Sequence, residues 1–150
     1  MKKALLVLGN YLRGDDAAAL YLGEIVQKKL PDWKVFFGED TPEDEFFNIK
    51  SYSPDILVLA DTVIGLEEKS AFLELKKSYD YFFTTHNIPV EILIKMLKEF
   101  CPNTLFLGIN VPPKNIAGIN NSLSYTAKKH AEDAFLKIKN LEELLFFSKN

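Results

Sequence analysis

Three sets of ionisable side chains follow separate apolar segments. Asp15 and Asp16 come after ALLVL (Ala4 to Leu8) and a short Gly9–Gly14 stretch, Asp61 directly follows ILVLA (Ile56 to Ala60), and His86 follows YFFTT. A carboxylate next to five apolar residues is costly to desolvate unless a cation or hydrogen-bond donors meet it. If the apolar runs are neighbouring parallel strands, Asp16, Asp61 and His86 converge. One imidazole and two carboxylates form a mixed nitrogen and oxygen donor set, suited to a borderline divalent cation such as zinc, nickel, manganese or iron. Three protein ligands leave coordination positions open, as a catalytic or substrate-completed site requires and a structural site does not.

Each position also has a plainer use. Asp15 and Asp16 stand where acids cap a helix or stabilise its positive end. Asp61 can cap a turn through Thr62 and Val63, and His86 can serve as a core or cap histidine. Joint placement at strand ends favours a shared site over three separate structural roles. His130, beside Lys128 and Lys129, reads as a solvated helix residue, and Glu67, Glu68 and Lys69 as an exposed charge run.

The elements that must position these groups follow from periodicity. Ala4 to Leu8 and Ile56 to Ala60 are continuous apolar runs, expected of strands buried on both faces, and Thr104 to Ile109 (TLFLGI) reads as another buried strand. Trp33 to Phe37 is a further strand, followed by an acidic loop from Gly38 to Glu45. Ser70 to Lys76 is divided between strand and helical turn, with strand preferred. Apolar residues recur at helical spacing from Asp15 to Leu30, where Pro31 closes the helix. A second helix is expected with Asn87 as cap, Pro89 in its first turn, and Ile92, Leu93, Met96, Leu97 and Phe100 on one face. A last helix begins near Ser122 or Ser124 and runs past Leu136. The expectation is an α/β fold: a single three-layer domain over residues 1–150, with a mostly parallel central sheet of about five strands flanked by helices.

With 47% hydrophobic and 26% charged residues, the 150-residue chain can bury one substantial core. A net charge of −3 offers no concentrated basic surface for nucleic acid. The run after Lys3 is too short for a signal-peptide core, and no stretch of about 18 apolar residues suggests membrane insertion. Cys101, the sole cysteine, has no internal disulfide partner and suits a reducing cytoplasm. GxSxG, HExxH, P-loop and GxGxxG motifs are all absent.

Five segments in order carry a resemblance: VLGNYLRGDDAAAL (Val7 to Leu20), GEDTPEDEF (Gly38 to Phe46), ADTVIGL (Ala60 to Leu66), TTHNIPVEILI (Thr84 to Ile94) and LGIN (Leu107 to Asn110). Together they resemble the nickel-iron hydrogenase maturation endopeptidases, in the manner of the formate-hydrogenlyase-type branch. The resemblance implies that Asp16, Asp61 and His86 contact metal and carry the reaction. It implies nickel brought by the substrate, at a site that would also accept zinc or cadmium. The implied partner is a hydrogenase large-subunit precursor, which loses a C-terminal extension once nickel marks it as loaded. A cytoplasmic monomer is expected. Two features depart from the family pattern: Ala17 and Ala19 replace glycines, and GINVPP (Gly108 to Pro113) stands for a GIQP-like segment.

A receiver-like signalling domain with Asp61 as phospho-acceptor is the rival reading, with Asp15, Asp16, Thr84 and Lys114 as its other members. Its spacing fails, because Gly9 to Gly14 separates the acids from the first strand and Lys114 stands too far beyond the last. A non-enzymatic binding domain would use the acids only as caps.

Overall fold

The apolar runs form a sheet whose two faces are buried in alternation. The computed structural model describes residues 1–74 and 88–148. Strands β1 (Lys3–Leu8), β2 (Trp33–Glu39), β3 (Ile56–Val63), β4 (Ser70–Leu73) and β5 (Thr104–Asn110) lie in the order β2-β1-β3-β5-β4. The first four in that row are parallel, and β4 runs antiparallel to β5 at the edge.

Helices α1 (Ala18–Lys29) and α4 (Tyr125–Ser148) cover one face, burying Leu5, Val7, Val58, Ala60, Leu107 and Ile109. Helices α2 (Phe46–Tyr52) and α3 (Val90–Lys98) cover the other, over Leu6, Leu8, Leu57, Leu59 and Phe106. This is the expected three-layer α/β architecture, since successive side chains of a strand point to opposite faces. Each fully buried leucine contributes about 1.5–3 kcal/mol relative to exposure.

The chain leaves β1 through α1 to reach β2, then returns through α2 to β3 on the other side of β1. The gap between the carboxyl ends of β1 and β3 is therefore the topological switch point, where ligands settle in open α/β sheets. Among the described residues, no helix is long and apolar enough to cross a membrane.

Several element boundaries differ from expectation. The first helix is preceded by a separate 3-10 turn, Gly14–Ala17, which holds both acids. β3 continues three residues beyond Ala60, so Asp61 lies inside a strand rather than after it. The expected acidic loop contains the end of β2 and a 3-10 turn, Pro42–Glu45, and α2 follows unforeseen. With only Ile49 buried, α2 has too little apolar periodicity to be read from sequence. Pro89 is the N-cap of α3, in extended conformation, rather than part of its first turn. Asn87, the expected cap, falls outside the described residues. Ile92 is exposed and Ile94 is buried, because Val90, Leu93, Ile94 and Leu97 form the buried stripe. The preferred strand at Ser70 is present as β4 over Ser70–Leu73, while Leu75 and Lys76 fall outside the described residues.

Candidate active site

The 3-10 turn after β1 gives its two acids different work. Asp15 is buried and reaches across to the start of α4. Its Oδ1 accepts the Ser124 N–H at 2.8 Å, and its Oδ2 accepts the Ser124 hydroxyl at 2.7 Å and Asn115 Nδ2 at 2.9 Å. Ser124 in turn accepts the Ala127 N–H at 3.1 Å, capping α4 as its sequence position suggested. Asp15 thus ties three segments together. The N-cap position of α1 is Ala17, with no side-chain cap bond, so neither acid occupies the cap position of that helix.

Asp16 is also buried, but it turns toward β3. Its Oδ1 accepts the Thr62 hydroxyl at 3.0 Å. The turn that places it is braced from both sides. The Gly9 N–H donates to Glu39 O at 3.0 Å, Gly14 N–H to Asn120 O at 2.6 Å, and Asn120 N–H to Leu12 O at 2.8 Å. Alanine fits at both positions where the resemblance implies glycine: Ala17 has a φ of −87°, and Ala19 lies within α1. No left-handed backbone is needed there.

Asp61 pairs in register with Gly108 of β5 and is 2% exposed. Its Oδ1 accepts the Thr62 N–H at 2.8 Å. Strand alternation puts Asp61 in the series of Leu57 and Leu59, facing the α2 and α3 side, whereas Thr62 continues Val58 and Ala60 toward α1. Asp16 and Asp61 are thereby linked through one residue at the carboxyl end of β3. In the sequence Thr62 is legible only as a capping partner of Asp61; its hydroxyl, next to an acid at the end of a buried run, is the signal of a further role.

His86 lies outside the described residues, as does Thr84. The helix that follows His86 in sequence, α3, packs on the sheet face that Asp61 shares. Among the described residues, no group of three His, Cys, Asp or Glu side chains is arranged to hold a metal ion.

His130 is half-buried rather than solvated. Its Nδ1 stands 2.7 Å from the Asn110 carbonyl oxygen, joining α4 to the end of β5; an accepting carbonyl requires the proton on Nδ1. Cys101 is buried with its Sγ 3.4 Å from Pro54 O, and burial pushes its thiol pKa up, consistent with an inert packed cysteine. Glu67, Glu68 and Lys69 are exposed as expected. Lys114 is exposed in the 3-10 turn Pro113–Ile116, and Asp15 is engaged by Ser124 and Asn115, so neither lends support to the receiver reading.

No family model matches the chain. It is 30% identical over 146 residues to the hydrogenase 3 maturation protease of Escherichia coli, a match covering 95% of this chain and 92% of that protein. The solved structure of the Escherichia coli endopeptidase HycI is 29% identical with a TM-score of 0.79, covering 95% of this chain and 92% of that one. An uncharacterized protein from Wolinella succinogenes is similar at 41% identity with a TM-score of 0.83, covering 97% of this chain and 99% of that one.

Proposed function

The chain belongs to the hydrogenase maturation protease family, and from that membership we propose that it removes the C-terminal extension of a nickel-loaded hydrogenase large-subunit precursor. Nickel held by that precursor is the mark of a loaded substrate. The observation that carries this reading is the pair of buried carboxylates, Asp16 and Asp61, linked through Thr62 beside the switch point of the sheet.

The donor chemistry fits a divalent cation. Two carboxylates with the imidazole of His86 supply a mixed oxygen and nitrogen set, incomplete without ligands from a partner. Zinc or cadmium would suit the same donors. An incomplete set holds free nickel weakly and becomes well coordinated only against the loaded precursor, which makes cleavage conditional on loading. When bound, the cation supplies Lewis-acid polarisation of the scissile carbonyl. Asp16 and Asp61 orient the bound substrate, and either carboxylate is suited to receive a proton from the attacking water. The enzyme acts as a monomer in the cytoplasm.

The test mixes nickel-loaded large-subunit precursor with wild-type protein, Asp16→Ala, Asp61→Ala and His86→Ala, and follows the shortened product by mass spectrometry. Wild-type cleavage is expected only with nickel-loaded precursor and is lost in each variant. Processing that survives all three substitutions removes the triad from the mechanism, and equal cleavage of nickel-free precursor removes the recognition mark.

A further inference from the structure

Thr62 touches both acids, and it does so with groups its position fixes. It is 4% exposed, sits inside β3, and is held in register opposite Ile109 of β5. Its backbone N–H donates to Asp61 Oδ1 at 2.8 Å, and its hydroxyl donates to Asp16 Oδ1 at 3.0 Å. Valine has a similar shape and strand preference but lacks the hydroxyl, so what threonine adds at this position is the bond to Asp16. A β-branched side chain is also stiff at χ1, which makes it a good strut.

We propose that Thr62 is a positioning residue that holds Asp16 and Asp61 in one geometry across the carboxyl end of the sheet, ready to meet the same cation. This rests on the metal-contact reading of the two acids given above. An ionised carboxylate only accepts hydrogen bonds, so the Thr62 hydroxyl must present its proton to Asp16 and thereby restrains the rotation of that carboxylate. A carboxylate already restrained loses less freedom when it binds metal. Partners that orient ligands in this way typically account for about 10- to 100-fold in metal affinity or activity.

The test compares wild-type protein, Thr62→Val and Thr62→Ser. Ni²⁺ binding to each protein alone is measured by calorimetry, and thermal midpoints are recorded beside it. Thr62→Val is expected to weaken Ni²⁺ binding by roughly 10- to 100-fold, and Thr62→Ser to recover most of the loss. In precursor processing, kcat/KM falls in Thr62→Val, with KM raised because the nickel of the loaded precursor is held less tightly, and Thr62→Ser restores it. Unchanged Ni²⁺ affinity in Thr62→Val, or failure of Thr62→Ser to rescue, overturns the proposal. If the wild-type protein binds free Ni²⁺ too weakly to titrate but cuts the precursor, kcat/KM on the nickel-loaded precursor replaces the titration, and an unchanged value in Thr62→Val overturns the proposal; if it neither binds nor cuts, the preceding functional reading falls instead. The carboxyl ¹³C resonance of Asp16 in metal-free protein then decides the positioning role: a shift in Thr62→Val that Thr62→Ser restores supports it, and no shift ends it.

Discussion

Gly9 and Asp16 are in such close contact that a Cβ added to Gly9 would lie 2.0 Å from the Asp16 carbonyl oxygen. Gly9 also has a φ of +139°, a conformation that side chains rarely adopt. The backbone carrying Asp16 therefore rests directly on the end of β1, with no side chain between them. That contact sets the height of the acid above the sheet.

Substituting Gly9→Ala must displace the 3-10 turn. The expected result is a lower thermal midpoint together with weaker Ni²⁺ binding, because strain and site geometry share one cause. Gly118→Ala is the control: Gly118 also has a positive φ, of +76°, but nothing lies within 4 Å of its added Cβ. It should cost some stability while leaving Ni²⁺ binding unchanged. Calorimetric melting and Ni²⁺ titration of both variants check this, and equal effects on binding would contradict it.

Asp15→Ala is expected to act on stability. It removes the acceptor of the Ser124 N–H, the Ser124 hydroxyl and the Asn115 amide, at a cost of about 1–3 kcal/mol. For a chain of this size that lowers the thermal midpoint by roughly 2–12 °C. An unchanged midpoint would show that Asp15 does not tie α4 to the turn.

Asp133 offers a pH-dependent test away from the site. Burial pushes its carboxyl upward, but the Lys137 ammonium at 2.7 Å and the buried Ser70 hydroxyl at 2.7 Å outweigh it, leaving the pKa below its ordinary 3.8. A folded pKa below the unfolded one contributes stability that is present above 3.8 and lost as pH falls through the folded value. Asp133→Asn should therefore be less stable than wild type at neutral pH, with the gap closing under acid. Urea midpoints measured across that range would refute the assignment if the gap stayed constant.

Much of this architecture is written locally. Continuous apolar runs at Ala4 to Leu8 and Ile56 to Ala60, and the mostly apolar TLFLGI from Thr104 to Ile109, report strands buried on both faces, because covered parallel strands tolerate apolar residues at successive positions. The same runs point to Asp16 and Asp61 as polar groups at the sheet's carboxyl end, and five ordered segments name the family. The covered faces also explain why Ile94 rather than Ile92 is buried: the α3 stripe is chosen by the partner surface, which periodicity alone does not reveal. Only the tertiary structure separates Asp15 from Asp16, since adjacent identical side chains differ solely in what lies across from them, Ser124 and Asn115 in one case and Thr62 in the other. It likewise moves Asp61 inside β3, because hydrogen bonding to β5 continues past the end of the apolar run. Residue type is local, but the partner that assigns a buried polar group its role is brought by the fold from 46 positions away for Thr62 and Asp16, and from 109 for Ser124 and Asp15.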